Sequence, residues 1–370
     1  MKKVLIVISL ISTFISTGCF LKEKDLKQIL FPLSIGLSYE ENKYNIYLQI
    51  LDTSTLSIVE TESSQRETSF ILIKAQNEDL TKALTQVGLQ AQTYISAIKI
   101  KSLIIHKSVL DNSPIEFHSL MKHFINTSLF RSKIQLFTTN TKLEDFYSVQ
   151  YMLVGTSVYS HTNEEEPQII RGYVKPSFLL NSLKNYEENN RMYYIPIMDV
   201  TENTIQSGDY SGKLDKTKSY KYNGICFTTN NTSTPFSCLN KEEAMGYRWY
   251  NEVSYVNLEL GDNKQPINII VDKVTWKNKI NNNDFQINVT LEGLISFNLT
   301  SCSIEDIKKM ATDKVKEEIL KTLEFAYNKS IDIYHLNDYA YRKNKNITYN
   351  TKNTNINVNL KLINSSYYTN

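Results

Sequence analysis

The feature that most constrains the fold is a long amphipathic segment, SIEDIKKMATDKVKEEILKTLEFAYNKS, between Ser303 and Ser330. Ser303 and Asp306 form a capping box, which predicts the start of a helix. Apolar residues then recur at steps of three and four, so they share one side of that helix. This stripe consists of Ile304, Ile307, Ala311, Val315, Ile319, Leu323 and Ala326. A stripe of this length must pack on something, and the neighbouring segments offer a sheet.

Alternation of apolar and polar residues predicts strands on both sides of this helix. Before it come YNGICFTT and FSCL, then a short helix over Lys241–Tyr250, then VSYVNLEL, INIIVDKVTWKNKI and FQINVTLEGLISFN, the last with a kink near Gly293. After it comes NINVNLKL. We therefore expect an α+β fold class for residues 219–370, a two-layer domain with the long helix packed on an antiparallel-rich sheet.

The first part of the chain alternates strands and helices, which predicts a mixed α/β region over residues 19–200. Its clearest strand is KYNIYLQIL, a half-buried strand with Tyr44, Ile46, Leu48 and Ile50 on one face. The other strands are SFILIKA, AIKIKSLIIH and SKIQLFTTN. Helices are predicted over residues 22–30, 80–94, 115–126, 142–149 and 176–190; the second carries the stripe Leu80, Leu84, Val87, Ala91 and Tyr94. Residues 201–218 are polar and lack periodicity, which predicts an exposed linker or loop between two domains.

Residues 1–18 have the layout of a lipoprotein signal peptide. Lys2 and Lys3 form a basic head, and residues 4–15 form an uncharged, mostly apolar run. A spanning helix needs roughly 20 apolar residues, so this run is too short, and its layout is that of a cleavable signal. The small residues that follow end in Cys19 and resemble a lipobox, in which Cys19 would receive diacylglycerol and an N-acyl chain. Ser16 departs from the aliphatic residue typical of that motif, and plain secretion and an uncleaved anchor are the alternatives.

Three further cysteines follow Cys19. They are Cys226, Cys238 and Cys302, an odd number that excludes complete pairing within one chain. Cys226 and Cys238 flank FTTNNTSTPFS, a turn-rich stretch typical of a hairpin tip. They could face each other as a disulfide, but the interpretation that the sequence favours is two small buried apolar residues.

No arrangement of residues typical of catalysis or metal binding stands out. His118 and His123 are five residues apart, on different faces of a helix, so a shared metal is not expected. The acidic run Glu164–Glu166 is typical of a solvated loop, and the catalytic serine elbow, the phosphate-binding glycine loop and the zinc-protease motif do not occur. The formal net charge is +2 with basic residues spread along the chain, which argues against nucleic-acid binding. We therefore expect a protein with no catalytic, cofactor-binding or metal-binding residues, and not an enzyme.

One segment, NGICF…FSCLNKEEAMGYRWYNEV, resembles the signature of a known family. In the GerAC-like lipoproteins, the C subunits of bacterial spore germinant receptors, two strands are followed by an acidic pair, a glycine and then a tryptophan. The matching residues here are Phe227 and Leu239 in the two strands, followed by Glu242, Glu243, Gly246, Tyr247 and Trp249, and we call the last four the signature residues. The order of elements in the first half is similar as well, so the resemblance covers essentially the whole chain. It departs at Ser16, at Phe20 and between Asp199 and Ser219, and a disulfide between Cys226 and Cys238 would be particular to this chain.

The resemblance implies a non-catalytic C subunit of a nutrient germinant receptor, needed for spore germination. Its lipid on Cys19 would hold it in the outer leaflet of the spore inner membrane. Its partners would be an A-type subunit and a permease-like B-type subunit, and the tether would raise its effective concentration beside them. For the four signature residues we favour a structural role in the core over a contact with a partner subunit.

Two other functions stay open. A germinant-binding lipoprotein that itself captures the nutrient would need a cleft with convergent polar groups, for which the region near residue 200 leaves room. An enzyme acting on cortex peptidoglycan would need a pair of carboxylates in a groove, and the sequence offers no such pair.

Overall fold

We describe the fold from a computed structural model of the chain. It describes residues 29–51, 70–91, 94–112, 114–126, 133–149, 174–188, 191–208, 214–228, 236–261, 266–298, 300 and 302–363, with the backbone alone at 51, 125, 203–208 and 214–217. These ranges contain fifteen strands and eight α-helices. No helix within them has both the length and the apolar content needed to cross a membrane.

The N-terminal strands form one large sheet and one two-stranded pair. They are β1 (Ile29–Leu30), β2 (Pro32–Glu40), β3 (Lys43–Leu51), β4 (Phe70–Asn77), β5 (Tyr94–Ile95), β6 (Ser102–His106), β7 (Gln135–Thr139), β8 (Ser177–Phe178), β9 (Tyr193–Gly208), β10 (Leu214–Thr228) and β11 (Ser237–Asn240). The large sheet has the order β11-β10-β9-β7-β6-β2-β3-β4, with β8 on β7, and β1 pairs with β5. Strands β2, β6, β7 and β9 are parallel neighbours, and the outer pairs are antiparallel. The predicted mixed α/β region is confirmed.

Helices cover both faces of this sheet. They are α1 (Leu80–Gln90), α2 (Lys107–Asn112), α3 (Pro114–Asn126), α4 (Leu143–Tyr147) and α5 (Leu179–Glu187), with a 3₁₀ turn at Ala97–Lys99. Val87 of α1 and Phe117 of α3 pack on one face together with Ile46, whereas α4 packs on the other face beside Tyr47. Strand β3 is therefore buried on both faces, and the prediction of a half-buried strand is wrong.

Several of the predicted N-terminal helices have different ends in the structure. The helix predicted over 176–190 covers only Leu179–Glu187, because Ser177 and Phe178 pair with β7 as β8. Ile29 and Leu30, the last residues of the helix predicted over 22–30, form strand β1, and the rest of that helix lies outside the described residues. Helix α1 ends at Gln90, so Tyr94 leaves the predicted helical stripe and lies in β5.

The predicted linker at residues 201–218 is wrong where the structure describes it. Strand β9 pairs antiparallel with β10 from Tyr193 opposite Thr228 to Gly208 opposite Leu214. The side chains here are polar and give no periodic signal, but backbone hydrogen bonding between two long neighbouring strands does not require one. The domain limits at residues 200 and 219 stay a prediction.

Strand β10 contains a bulge and, beyond it, contributes side chains to two cores, one on each face of the strand. Between Tyr222 and Gly224 the register against β9 shifts, which leaves Asn223 as the extra residue. Beyond it Cys226 packs in the N-terminal core, and Phe227 packs in the C-terminal core. Gly224, next to the bulge, has φ +141°, and a Cβ atom there would lie 2.1 Å from the Leu239 carbonyl oxygen. This position therefore requires glycine.

The C-terminal half is a two-layer domain, as predicted. Its elements are α6 (Tyr247–Tyr250), β12 (Val256–Leu260), β13 (Ile267–Asn281), β14 (Asp284–Asn298), α7 (Ile304–Asn328), α8 (Leu336–Arg342) and β15 (Thr354–Leu362). The sheet order is β12-β13-β14-β15, and only β14 and β15 are parallel, because α7 crosses between them. The irregularity predicted near Gly293 is a bulge at Asp272 in the facing strand β13.

The long helix α7 lies on this sheet through the predicted stripe. Ile307, Val315, Ile319 and Leu323 are each at most 1% exposed, whereas Ile304 in the first turn is 53% exposed. The cap is formed by the Ser303 hydroxyl, which accepts from the Asp306 N–H at 3.2 Å and donates to the Asp306 carboxylate at 2.6 Å.

Cys226 and Cys238 form a disulfide. They stand directly opposite each other in the β10/β11 ladder, with Cα atoms 4.0 Å apart. The favoured interpretation of two unpaired buried thiols is therefore wrong, because the hairpin register, which the sequence does not give, brings the two residues face to face. Cys302 is an exposed free thiol.

Candidate functional site

The four signature residues lie in one segment that follows β11 and packs against α7. Tyr247 is 1% exposed and Trp249 is fully buried. Gly246 is buried as well, and only Glu243 reaches the surface. The segment thus contributes to the interior of the molecule rather than to an open cleft.

Glu243 connects β11 to the end of α7. Its carboxylate accepts from the Asn240 N–H at 2.9 Å, and the Asn240 side chain accepts from the Glu243 N–H at 2.9 Å. The Lys329 ammonium donates to the same carboxylate at 3.0 Å and to the Cys238 carbonyl at 2.8 Å. Partial burial opposes ionisation, but these donors outweigh it and hold the pKa of Glu243 below its usual range.

Gly246 permits the closest approach between this segment and α7. Its N–H donates to the Thr322 hydroxyl at 2.8 Å. A Cβ atom on Gly246 would lie 2.5 Å from the Glu318 carbonyl oxygen and 2.7 Å from the Ile319 Cα. The backbone of Gly246 has an ordinary φ of −69°, so glycine is required here by space and not by conformation.

Arg248 and Trp249 share one acceptor, Glu318 on α7. The Arg248 guanidinium donates to both Glu318 oxygens at 2.9 Å, and the Trp249 indole N–H donates to Oε2 at 2.8 Å. The side chains of Arg248 and Glu318 are only 8% and 13% exposed. A charge pair this poorly solvated is tolerable because the carboxylate accepts three hydrogen bonds.

Tyr247 joins the two halves of the molecule. Its ring centroid lies 5.3 Å from that of Tyr194 in β9 and 5.4 Å from that of Phe227 in β10. Tyr250, one turn further, lies 5.2 Å from Trp276 in β13. Burial raises the pKa of Tyr247 well above its ordinary value, so the phenol stays neutral and acts through packing.

A second junction, which the sequence does not reveal, joins α5 to α8. Glu188 accepts from Arg191 at 2.8 Å and from Arg342 at 2.6 Å, and Arg342 also donates to both oxygens of Asp338. Asp332 accepts three backbone N–H groups at the start of α8, yet burial raises its pKa to about 6. Glu188 and Arg342 are far apart in the chain, so only the tertiary fold pairs them.

The two histidines of α3 do not share a site. His118 is 3% exposed; its Nε2 lies 2.7 Å from the Tyr193 hydroxyl, and its ring stacks on Tyr186 at 4.0 Å. His123 is exposed. In the described part of the chain no group of three or more His, Cys, Asp or Glu residues could hold a metal ion. Cys19 and Glu164–Glu166 lie outside the described residues.

A comparably tight polar group lies on the opposite face of the large sheet. Glu144 of α4 accepts from the Tyr47 hydroxyl at 2.6 Å and from the Lys74 ammonium at 2.7 Å. Despite partial burial, these two donors lower the pKa of Glu144 to about 2. The group fixes α4 on strands β3 and β4, and its three members satisfy one another, which makes it structural.

The fold itself resembles a solved structure. Over 89% of this chain and 97% of the other, it matches the crystal structure of the GerBC protein with a TM-score of 0.51 and 13% sequence identity. At that identity the likeness shows the fold alone. A comparison with curated proteins found no match.

Two family models match the sequence in succession. The spore germination protein N-terminal domain matches residues 22–200, and the spore germination B3/GerAC-like C-terminal domain matches residues 236–365. The buried junction described above is thus a feature of a spore germination protein. The chain belongs to the GerAC-like family, the C subunits of germinant receptors. As a C subunit it is one component of a receptor complex with other subunits.

Proposed function

We propose that this chain is a lipid-anchored, non-catalytic C subunit that assembles with an A-type and a permease-like B-type subunit at the spore inner membrane. Diacylglycerol and an N-acyl chain on Cys19 would hold it in the outer leaflet. Nutrient binding by the permease-like partner would then be passed through the complex. The C subunit would contribute a rigid folded surface to this relay and perform no reaction of its own.

The observation that carries this proposal is the burial of the family signature between α7 and the β10/β11 hairpin. Gly246, Tyr247 and Trp249 hold α7 against the β10/β11 hairpin, and all three residues are buried. Burial of the family signature in the core supports a scaffold role. A nutrient sensor would instead place its distinctive polar groups in a cleft.

The anchor is tested by replacing Cys19 with alanine. Two acyl chains hold a protein on a membrane, whereas a single chain gives only marginal binding. Cys19→Ala should release the protein from the membrane fraction or leave an unprocessed precursor, and mass spectrometry of the parent protein should find the lipid on Cys19. A Cys302→Ala variant is the matched control and should stay lipidated. Membrane-bound, lipidated Cys19→Ala protein would refute the anchor.

The scaffold role is tested by separating binding from response. Deleting the gene should abolish the response to the receptor's nutrient, and the full-length gene should restore it. Calorimetry on the chain from residue 19 onward should show no binding of that nutrient below a dissociation constant of about 1 mM. Saturable micromolar binding would show that this subunit is itself the sensor, which is the alternative function.

A further inference from the structure

Strand β4 lies at one edge of the large sheet and lacks the usual protection of an edge strand. Among the described strands it pairs only with β3, over eight residues and without a bulge. It contains no proline, and its one charged residue, Lys74, is paired with Glu144 at 2.7 Å. Proteins usually blunt an edge with a short strand, a bulge, a proline or charges, because its unpaired backbone groups attract another strand. By contrast, β11 at the opposite edge has only four residues and is linked to β10 by the disulfide.

A groove runs beside this edge, between β4 and helix α1. Its volume is about 490 Å³, and six described residues line it: Lys74, Ala75, Gln76, Gln86, Leu89 and Gln90. Binding pockets typically measure about 300–1,000 Å³, so the groove is large enough for several side chains. Its helical wall is fixed in place, because Asp79 caps α1 and the buried Ala83 and Val87 pack on the sheet.

The groove is apolar on the side where a strand added to β4 would place every second side chain. Ala75 packs in the N-terminal core below α1. Ile71 and Ile73 share this face of β4, because side chains alternate along a strand and no bulge interrupts the ladder. Ile71 is 45% exposed, and Leu89 on the helical wall is 73% exposed. Of the six lining residues only Lys74 is charged, and it is already ion-paired.

We propose that β4 and this groove bind an extended, uncharged segment of another subunit of the receptor complex. The segment would join the sheet as a further strand, and its backbone would hydrogen-bond to the edge of β4. Every second side chain would lie against Ile71 and Leu89, where an apolar group is favoured and a charge would be buried without a partner. The identity of the occupant rests on the proposed assembly with other subunits.

Hydrogen exchange tests whether a strand is added. Exchange is compared between the receptor complex purified with the full-length chain and the chain from residue 19 onward alone, which contains every described residue. Amides of β4 that face away from β3 should exchange about tenfold more slowly or less in the complex, because opening would first require the added strand to leave. Strand β15, an edge of the C-terminal sheet, is the control and should exchange alike in both samples.

Two substitutions locate the contact. Ile71→Lys and Leu89→Lys each place a charge in the groove and should lower the recovery of the other subunits with this chain by about tenfold or more, since burying an unpaired charge is costly. Ile304→Lys makes the same change at an isoleucine of α7 that is 53% exposed, and it should leave the recovery unchanged. Thermal melts check that all three variants fold. Equal recovery with all three would overturn the docking site.

A photo-crosslinking residue in place of Leu89 identifies the occupant. It should link this chain to another receptor subunit. Residues 52–69, which connect β3 to β4, lie outside the described residues and are the first competing occupant. A link to that segment, or to a second copy of the chain, would overturn the proposal.

The segment can also be removed. Leu51 and Phe70 stand directly opposite each other, so an Asn-Gly turn, which joins antiparallel strands in two residues, can replace residues 52–69. The shortened chain should recover the other subunits like the parent, and its failure to do so would move the contact to the segment and overturn the site.

The docking site and the proposed assembly fail in different ways. A complex that forms, but in which β4 exchanges as fast as in the isolated chain, would overturn the docking site and leave the assembly intact. A parent chain that recovers no other subunit would overturn the assembly, and the docking site with it.

Discussion

The backbone N–H of Gly246 donates to the hydroxyl of Thr322 at 2.8 Å, and this contact sets the distance between the signature segment and the long helix α7. Backbone lies against backbone here, since an added Cβ would meet the Glu318 carbonyl at 2.5 Å. The contact cannot widen without moving Tyr247 and Trp249 out of the core that they share with the helix.

Gly246→Ala should therefore destabilise the protein. The new methyl group would meet backbone atoms, which cannot rotate away as a side chain can. We therefore expect the free energy of unfolding to fall by about 1–3 kcal/mol or more, the cost typical of overpacking. Denaturant unfolding measures it. Gly88→Ala is the matched control: nothing lies within 4 Å of its Cβ position in α1, and alanine should stabilise that helix by about 0.4–1 kcal/mol. Similar stability of the two variants would contradict the close approach.

Glu318→Gln should destabilise the protein, because it removes the negative charge that pairs with Arg248. The amide can still accept from Trp249, but the Arg248 charge would be left buried without a counter-ion, which costs about 3–5 kcal/mol. The double variant Arg248→Met/Glu318→Gln should recover much of that loss, and a double-mutant cycle measures the coupling. Glu317→Gln, an exposed neighbour on the same helix, should leave the melting temperature unchanged. A harmless Glu318→Gln would mean that water reaches the pair.

Removing the disulfide with Cys226→Ala/Cys238→Ala should lower the free energy of unfolding by about 2–4 kcal/mol, because the unfolded hairpin regains the freedom of its closed loop. Adding a reductant to the parent protein should lower its free energy of unfolding by a similar amount and leave the double variant unaffected. Cys302→Ala controls for loss of a thiol. A parent protein insensitive to reductant would show that the pair is not oxidised in solution.

His118 should make stability fall in acid. Burial, assisted by the Lys122 charge and opposed by the Pro114 carbonyl, lowers the pKa of His118 from 6.5 to about 4. A depressed histidine pKa means that folding favours the neutral ring, so its contribution is full above pH 6.5 and is lost as the pH falls to 4. The loss corresponds to about 3 kcal/mol.

The measurement is the pH dependence of unfolding in the parent and in His118→Gln, whose amide can still bond to Tyr193. The difference between them should shrink as the pH falls from 7 to 4. Asp332 titrates in the same window with the opposite sign, since its raised pKa adds stability towards low pH. Only the difference between parent and variant therefore reports on His118. A difference independent of pH would contradict its buried neutral state.

The sequence predicted those parts of the fold whose signal is local. The stripe of α7 repeats at helical spacing and carries its own cap, so both the helix and its buried face could be predicted. Strand β3 was also found, but its second buried face was not, because Tyr47 and Gln49 look like solvent-facing residues until α4 is known to cover them.

The sequence could not predict contacts between distant segments. The resemblance indicates Gly246 and Trp249, but their partners Thr322 and Glu318 lie 76 and 69 residues further along the chain, with no motif to mark them. The pairing of β9 with β10 could not be predicted for the same reason. It is made by backbone hydrogen bonds, which do not depend on the type of side chain and so leave no pattern in the sequence.

The sharing of strand β10 between two cores has a mechanical consequence. Cys226 and Phe227 are consecutive residues of one strand, yet each is embedded in a different half of the molecule. A tilt of one half relative to the other would have to break hydrogen bonds between β10 and its neighbours β9 and β11, or pull one of these two side chains out of its core. We therefore expect the two halves to move together as one body.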